Sequence, residues 1–231
     1  MKKAFVFLDL DDTILDFHQA ERSALRRTME ELGFSPSEEQ LDRYSVINVR
    51  QWEKLEEGLL TRDEVLVSRY EIWLRELGLD LSAAMVTERY EGHLHEGYYL
   101  VPGAKELLEK LKGRYGLYVA SNGVGTVQAS RIKGAGIEAF FDGIFISENL
   151  GANKPDPAFF QACFARIPDF DLDRAIMVGD SLTSDIRGGL NAGIKTCWYN
   201  PRHKKSRPDI RADYEIKDFA ELPGLLSRLF S

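Results

Sequence analysis

The sequence predicts an α/β fold: a parallel sheet covered by helices on both faces, interrupted by an all-helical insertion. Three observations carry this. Short apolar runs recur at 4–8, 117–120, 144–146, 175–178 and 196–199, each of a length suited to a buried strand. Helical segments at 103–112, 123–134, 157–166, 185–191 and 218–229 separate or follow the later runs. Continuous apolar strands alternating with helices give a sheet buried on both faces, which means a parallel one. Between the first run and the second lies a stretch, 17–98, whose patterning is helical and whose single proline is Pro36. Residues 1–16 and 99–231 are therefore one α/β core of ordinary domain size, and 17–98 is an insertion after the first strand.

Each element has its own justification. The first strand is Ala4-Phe5-Val6-Phe7-Leu8, and Asp9 ends it at once. That apolar run is too short for a signal peptide or a membrane span. In the insertion, Leu25, Met29 and Leu32 share one helical face, and Gly33 stops the helix. Ser35-Pro36-Ser37-Glu38 has capping-box spacing with Pro in the first turn. The helix that follows carries a stripe at 41, 44, 48, 52 and 55 and ends near Gly58. Thr61 and Glu64 repeat the capping box, and Leu66, Tyr70, Trp73 and Leu77 form the next apolar face, closed by Gly78. A weaker helix covers 82–96. In the core, Asp156 reads as an N-cap with Pro157 at the first helical position.

Composition excludes several function classes. The chain has 231 residues, of which 44% are hydrophobic, enough to fill a core. Thirty Lys+Arg against 37 Asp+Glu give a net charge of −7, unlike a protein that binds nucleic acid by its phosphate backbone. Cys163 and Cys197 cannot build a disulfide framework, no Cys/His cluster suggests zinc, and both read as core packing. A soluble, cytoplasmic protein with no membrane or nucleic-acid partner is the expectation.

In an open parallel sheet, ligands bind beyond the carboxyl ends of the strands. There the sequence places Asp9-Leu10-Asp11-Asp12-Thr13, then Ser121-Asn122-Gly123, then Lys154-Pro155, then Gly179-Asp180 through to Asp185. Grouped carboxylates are costly unless a hard cation neutralises them, and Mg²⁺ suits a few carboxylates, water and a substrate phosphate. A hydroxyl, turn N–H groups and a lysine suit phosphate oxygens. Each piece also has a plain structural reading, because Gly-Asp and Asn-Gly are ordinary turns and a lone lysine is ordinarily solvated.

Taken in order, Asp9-x-Asp11-x-Thr13, Ser121, Lys154 and Gly179-Asp180-x4-Asp185 resemble the four motifs of the haloacid dehalogenase superfamily. The helical insertion stands where that family carries its C1-type cap, so the resemblance spans the whole chain. It implies a Rossmann-like core and a catalytic pair: Asp9 as nucleophile and Asp11 as general acid and base. It also implies Mg²⁺ held by Asp9, Asp180 and the backbone carbonyl of Asp11, with Asp185 binding or orienting it through water. Ser121, the Asn122 N–H and Lys154 would hold the phosphoryl group. Dehalogenases of the superfamily lack an acid/base at the position of Asp11, so its presence favours phosphate-ester chemistry. Asp12 departs from the glycine commonest there and receives no catalytic role.

The segment Asn48-x3-Trp52 with Gly58 and Thr61 resembles the cap of the superfamily's pyrimidine 5′-nucleotidases. So does Asp185-x3-Gly189-x-Asn191-Ala192-Gly193 with Thr196-Cys197-Trp198. The expected substrate is a small phosphorylated metabolite, a pyrimidine nucleoside monophosphate first. Phosphoglycolate or sugar phosphates are the alternative, and a phosphomutase or a non-catalytic phosphate-binding protein follows. Asn48 reads equally as a satisfied buried amide or as a substrate contact. Trp52 is a second possible cap contact, and His18 is a third or simply packs at the hinge. The crossings near 14–18 and 97–103 are placed to act as hinges. The basic run Arg202-His203-Lys204-Lys205-Ser206-Arg207 reads as a solvated loop, with attraction of anionic substrate as its alternative role.

Overall fold

The computed structural model describes residues 3–231. They divide into two compact units: the residues up to Asp16 with Leu100–Ser231, and Phe17–Tyr99.

The larger unit is a six-stranded sheet in the order β3-β2-β1-β4-β5-β6, every neighbouring pair parallel. The strands are β1 (Phe5–Leu8), β2 (Gly116–Ser121), β3 (Gly143–Ile146), β4 (Ala175–Gly179), β5 (Lys195–Tyr199) and β6 (Tyr214–Ile216). β1 is fully buried, because alternate side chains enter the two cores on either side of the sheet. Val6 and Leu8 join Leu117, Val119, Ile176 and Val178 in one. Phe5 and Phe7 join Tyr118, Phe145, Phe160 and Met177 in the other. The sequence expectation contains five of these strands. β6 is the addition, a three-residue edge strand with Glu215 exposed, too short and too polar to show as an apolar run.

In the smaller unit lie α1 (Phe17–Glu31), α2 (Glu38–Glu56), α3 (Arg62–Leu77) and α4 (Ala83–Leu94). The sheet unit carries α5 (Ala104–Leu111), α6 (Gly125–Gly134), the short α7 (Ser147–Leu150), α8 (Pro157–Phe164), α9 (Arg187–Asn191) and α10 (Leu222–Phe230). Thr61 and Glu64 form the capping box of α3, and Gly78 ends that helix with φ 68°. The box at α2 runs from Ser37 to Gln40, not from Ser35, and Pro36 precedes the cap instead of opening the first turn. Asp156 caps α8 by accepting from the Ala158 N–H. The expected helix at 185–191 starts earlier, with a π-helical turn over Leu182–Ile186 that runs into α9. Such turns recur at functional sites, where they re-aim side chains. Among the described residues, no helix is long and apolar enough to cross a membrane.

Candidate active site

The sheet positions the site because parallel strands end on the same side. Asp9 continues β1 and donates its N–H to the Val178 carbonyl of β4 at 2.9 Å, so the ends of the two central strands stay in register. The chain then turns: Ile14 N–H meets the Leu10 carbonyl at 2.9 Å, and Asp12 N–H meets the Leu15 carbonyl at 2.7 Å. Asp12 sits in the left-handed region, φ 57°. Asp tolerates that conformation better than most side chains, which accounts for an acidic residue where glycine is commoner.

Lys154 is the hub of the carboxylates. Its Nζ donates to Asp9 Oδ1 at 2.8 Å, to Asp185 Oδ1 at 2.6 Å and to the Ala120 carbonyl at 2.6 Å. Its side chain is only 2% exposed. Burial alone would lower its pKa, but the charges of Asp185 and Asp9 outweigh burial and raise it, so the lysine stays an ammonium. The Asn122 side chain holds the lysine's loop. It donates to the Lys154 carbonyl at 2.8 Å and to Ser184 Oγ at 3.2 Å, and accepts from the Lys154 N–H at 2.9 Å. The expectation assigned Asn122 only a backbone contact to phosphate; its side chain adds the placement of Lys154.

Asp9, Asp180 and Asp185 each bring a carboxylate oxygen within 4.8 Å of the others. Burial, then the charge of Asp185, push the Asp9 carboxyl well above the ordinary range, against the pull of Lys154. Burial and Asp180 likewise raise Asp185, against Lys154. Three clustered carboxylates facing one buried ammonium leave a charge deficit. An all-oxygen donor set of this kind fits a hard divalent cation such as Mg²⁺. Gly179 makes the arrangement possible, since a Cβ there would lie 2.2 Å from Asp185 Oδ2. Asp185 Oδ2 accepts from the Ser181 N–H at 3.0 Å, and the Trp198 indole donates to the Asp180 carbonyl at 2.9 Å.

Two cations of the basic run 202–207, expected in a solvated loop, meet acids that follow β1 and β4. Lys204 Nζ meets Asp180 Oδ2 at 2.6 Å, and Arg202 Nη2 lies 3.5 Å from Asp12 Oδ1. Asn200 places Lys204, donating to its carbonyl and accepting its N–H.

Ser121 ends β2 and is 1% exposed. Its Oγ accepts from the Gly123 N–H at 3.1 Å and from Gln128 Nε2 at 2.9 Å. With both lone pairs engaged, its hydrogen is left to donate to an anionic oxygen. Asp11 is held from the same side. Gln128 Nε2 donates to its Oδ2 at 2.5 Å, and Arg131 Nη1 pairs with its Oδ1. Sequence reasoning missed Gln128 and Arg131. Their signal was spacing: two polar residues one turn apart on the helix that follows Ser121-Asn122-Gly123.

Asp9, Asp11, Ser121, Asn122, Lys154, Asp180 and Asp185 thus all belong to the sheet unit. Asn48, Trp52 and His18 belong to the helical one. Asn48 is 2% exposed. Its amide donates to Glu21 at 2.7 Å and accepts from Arg69 at 2.9 Å, so the structure supports the satisfied buried amide over the substrate contact. Trp52 is half-buried, with the Arg62 guanidinium 5.8 Å from its ring centre. His18 is half-buried in the first turn of α1.

The family model described as haloacid dehalogenase-like hydrolase matches residues 6–199. The chain is 40% identical to the HAD-hydrolase YfnB of Bacillus subtilis over 222 residues, covering 96% of this chain and 94% of that protein. A solved structure of YfnB bound to magnesium superposes with a TM-score of 0.93 at 39% identity, over 98% of this chain and 99% of that one. The pyrimidine 5′-nucleotidase PynA of Streptococcus pneumoniae is 34% identical over 97% of this chain and 95% of its own length. The pyrimidine 5′-nucleotidase YjjG of Escherichia coli is 28% identical over 99% and 100%.

Proposed function

The chain belongs to the haloacid dehalogenase-like hydrolases, and from that premise we propose that it is a Mg²⁺-dependent phosphatase working through an aspartyl-phosphate, with pyrimidine nucleoside monophosphates as substrates. One observation carries the chemistry: Asp9, fixed by Lys154 beside Asp180 and Asp185, with the second carboxyl, Asp11, two residues on. A nucleophile and a separate acid/base are what ester hydrolysis through a covalent intermediate requires.

Asp9 attacks phosphorus, the phosphorus–ester oxygen bond breaks, and the leaving oxygen takes the proton of the Asp11 carboxyl. Water then attacks the aspartyl-phosphate, Asp11 takes a proton from it, and phosphate leaves as Asp9 recovers its carboxylate. Ser121 donates its hydroxyl hydrogen to a phosphoryl oxygen, joined by the Asn122 N–H. Lys154 holds Asp9 through one oxygen, so that the nucleophile presents one orientation. Mg²⁺ held by Asp9, Asp180 and the Asp11 carbonyl, with Asp185 beside it, would offset the charge of the phosphate and of the transition state.

The nucleotide preference rests on the two nucleotidase relatives. A phosphatase for phosphoglycolate or sugar phosphates is the second reading, because the chain is also similar to a glyceraldehyde 3-phosphate phosphatase of Pyrococcus furiosus, at 28% identity over 97% of this chain. Phosphate release measured across UMP, dUMP, dTMP, phosphoglycolate and sugar phosphates separates the two. The pyrimidine nucleotides are expected to give the highest kcat/KM, dependent on Mg²⁺. Equal or higher values for the others would overturn the nucleotidase reading and leave the phosphatase standing. No release from any ester would overturn both.

A further inference from the structure

We propose that Gln128 and Arg131 of α6 form a clamp that positions the Asp11 carboxyl for proton transfer to the leaving group. The inference rests on the assignment of Asp11 as acid/base and extends it to two residues that act through Asp11.

Four observations support the clamp. Gln128 and Arg131 lie one turn apart, which puts them on the same face of α6, and both are buried, at 1% and 0% exposure. Each takes a different oxygen of Asp11, Gln128 Nε2 on Oδ2 and Arg131 Nη1 on Oδ1. Arg131 Nη1 also donates to Gln128 Oε1 at 2.9 Å, so the two side chains brace each other. Finally, Gly123 lets the Gln128 amide approach, because a Cβ at that position would lie 2.2 Å from Nε2.

A guanidinium is expensive to bury, and flanking positions on this helix, Val127 and Ile132, fill the interior with apolar groups. The buried arginine is directed at a carboxyl whose side chain is 28% exposed and lies at the site. An acid must present its proton in one orientation, and a partly exposed Asp left alone would sample several rotamers. The clamp removes that freedom. The same Gln128 amide also donates to Ser121 Oγ. One side chain therefore sets both the hydroxyl that holds the phosphoryl group and the carboxyl that protonates the ester oxygen, and with them the spacing between the two.

The leaving group provides the test. Dinitrophenolate departs without help from an acid, whereas the alkoxide of an alkyl phosphate needs a proton. The experiment compares kcat and KM for 2,4-dinitrophenyl phosphate and for the alkyl phosphate the enzyme hydrolyses best, in wild type, Asp11→Ala, Arg131→Met, Arg131→Lys, Gln128→Leu and Asp11→Ala/Arg131→Met. Asp11→Ala should lose about a hundredfold more kcat/KM on the alkyl ester than on the aryl one, because kcat/KM reads the step in which the ester oxygen leaves, whereas kcat also contains the attack of water on the aspartyl-phosphate, which is common to both esters. Arg131→Met and Gln128→Leu should show the same selective loss, about tenfold, and Arg131→Lys should recover part of it. In the Asp11→Ala background, Arg131→Met should cost less than about twofold more. Equal losses on both esters, or full additivity in the double variant, would overturn the clamp while leaving Asp11 as the acid. If Asp11→Ala shows no selective loss, the assignment of Asp11 falls and the clamp with it. Should Arg131→Met fail to fold by circular dichroism, Gln128→Leu and Arg131→Lys decide the matter alone.

Discussion

Lys154 is an ammonium with 2% of its side chain exposed, set between Asp9 and Asp185. Removing one partner of a buried charge set leaves the others uncompensated, typically at a cost of about 3–5 kcal/mol. Lys154→Met is therefore expected to lower the unfolding free energy by about 3 kcal/mol near neutral pH. With their cation gone, Asp9 and Asp185 hold folded-state pKa values further above the unfolded ones. A raised carboxyl favours the folded state below its pKa and loses that contribution as pH rises. The deficit of Lys154→Met against wild type, followed by denaturant melts, should thus shrink as the pH is lowered from neutral; a deficit that grows would contradict this. The activity has the opposite sign for the same reason. In the proposed reaction Asp9 attacks only as a carboxylate, and burial with Asp185 raises its pKa. The acid limb of kcat/KM should lie above the ordinary carboxylate range at low Mg²⁺ and move to lower pH as Mg²⁺ is raised. A limb unmoved by Mg²⁺ would place Asp9 away from the cation.

At the scale of elements, the loop after β4 depends on one missing methyl group. A Cβ on Gly179 would lie 2.2 Å from Asp185 Oδ2 and 2.7 Å from its Cβ. Asp185 cannot yield easily, because Lys154 and the Ser181 N–H hold its two oxygens. Gly179→Ala should weaken Mg²⁺ binding, read by calorimetry, by at least about tenfold, or about 1.4 kcal/mol, with the fold retained. Unchanged affinity would mean that Asp185 has no part in the cation site. In the helical unit, Asn48 joins Glu21 to Arg69. Asn48→Ala leaves two buried charged groups short of a partner and should cost about 1–3 kcal/mol in thermal or denaturant stability, with KM nearly unchanged. A large KM rise without loss of stability would restore Asn48 as a substrate contact.

These elements differed in how legible they were. The central strands declare themselves because burial on both faces leaves no polar alternation. The helix starts at Thr61 and Asp156 do so because a cap needs a particular side chain at a particular place. β6 does not, being three residues long and half-exposed. Gln128 and Arg131 do not either, since polar residues on a helix ordinarily face water; only the packing of α6 turns them inward. Lys204 was hidden because a loop has no period to show which of its charges faces the site.

For the molecule as a whole, the order of Asp9, Asp11, Ser121, Lys154, Asp180 and Asp185 along the chain was readable, and the parallel sheet explains why such distant positions converge. The mutual geometry was not, for it depends on which oxygen of each acid each donor takes. The acidic balance of the chain, −7, makes it a poor general host for phosphate. The exception is local: the Lys154 ammonium set among the acids, joined in the proposed reaction by Mg²⁺. If Asp9 is the nucleophile, the phosphoryl group rests on its carboxylate during turnover and can be trapped there. The enzyme is mixed with its best phosphate ester and Mg²⁺, quenched in acid during turnover, and digested for mass spectrometry. One phosphoryl group is expected on the peptide that contains Asp9, absent in Asp9→Asn, which should also release no phosphate. Steady phosphate release with that peptide unmodified, and with Asp9→Asn still active, would contradict it.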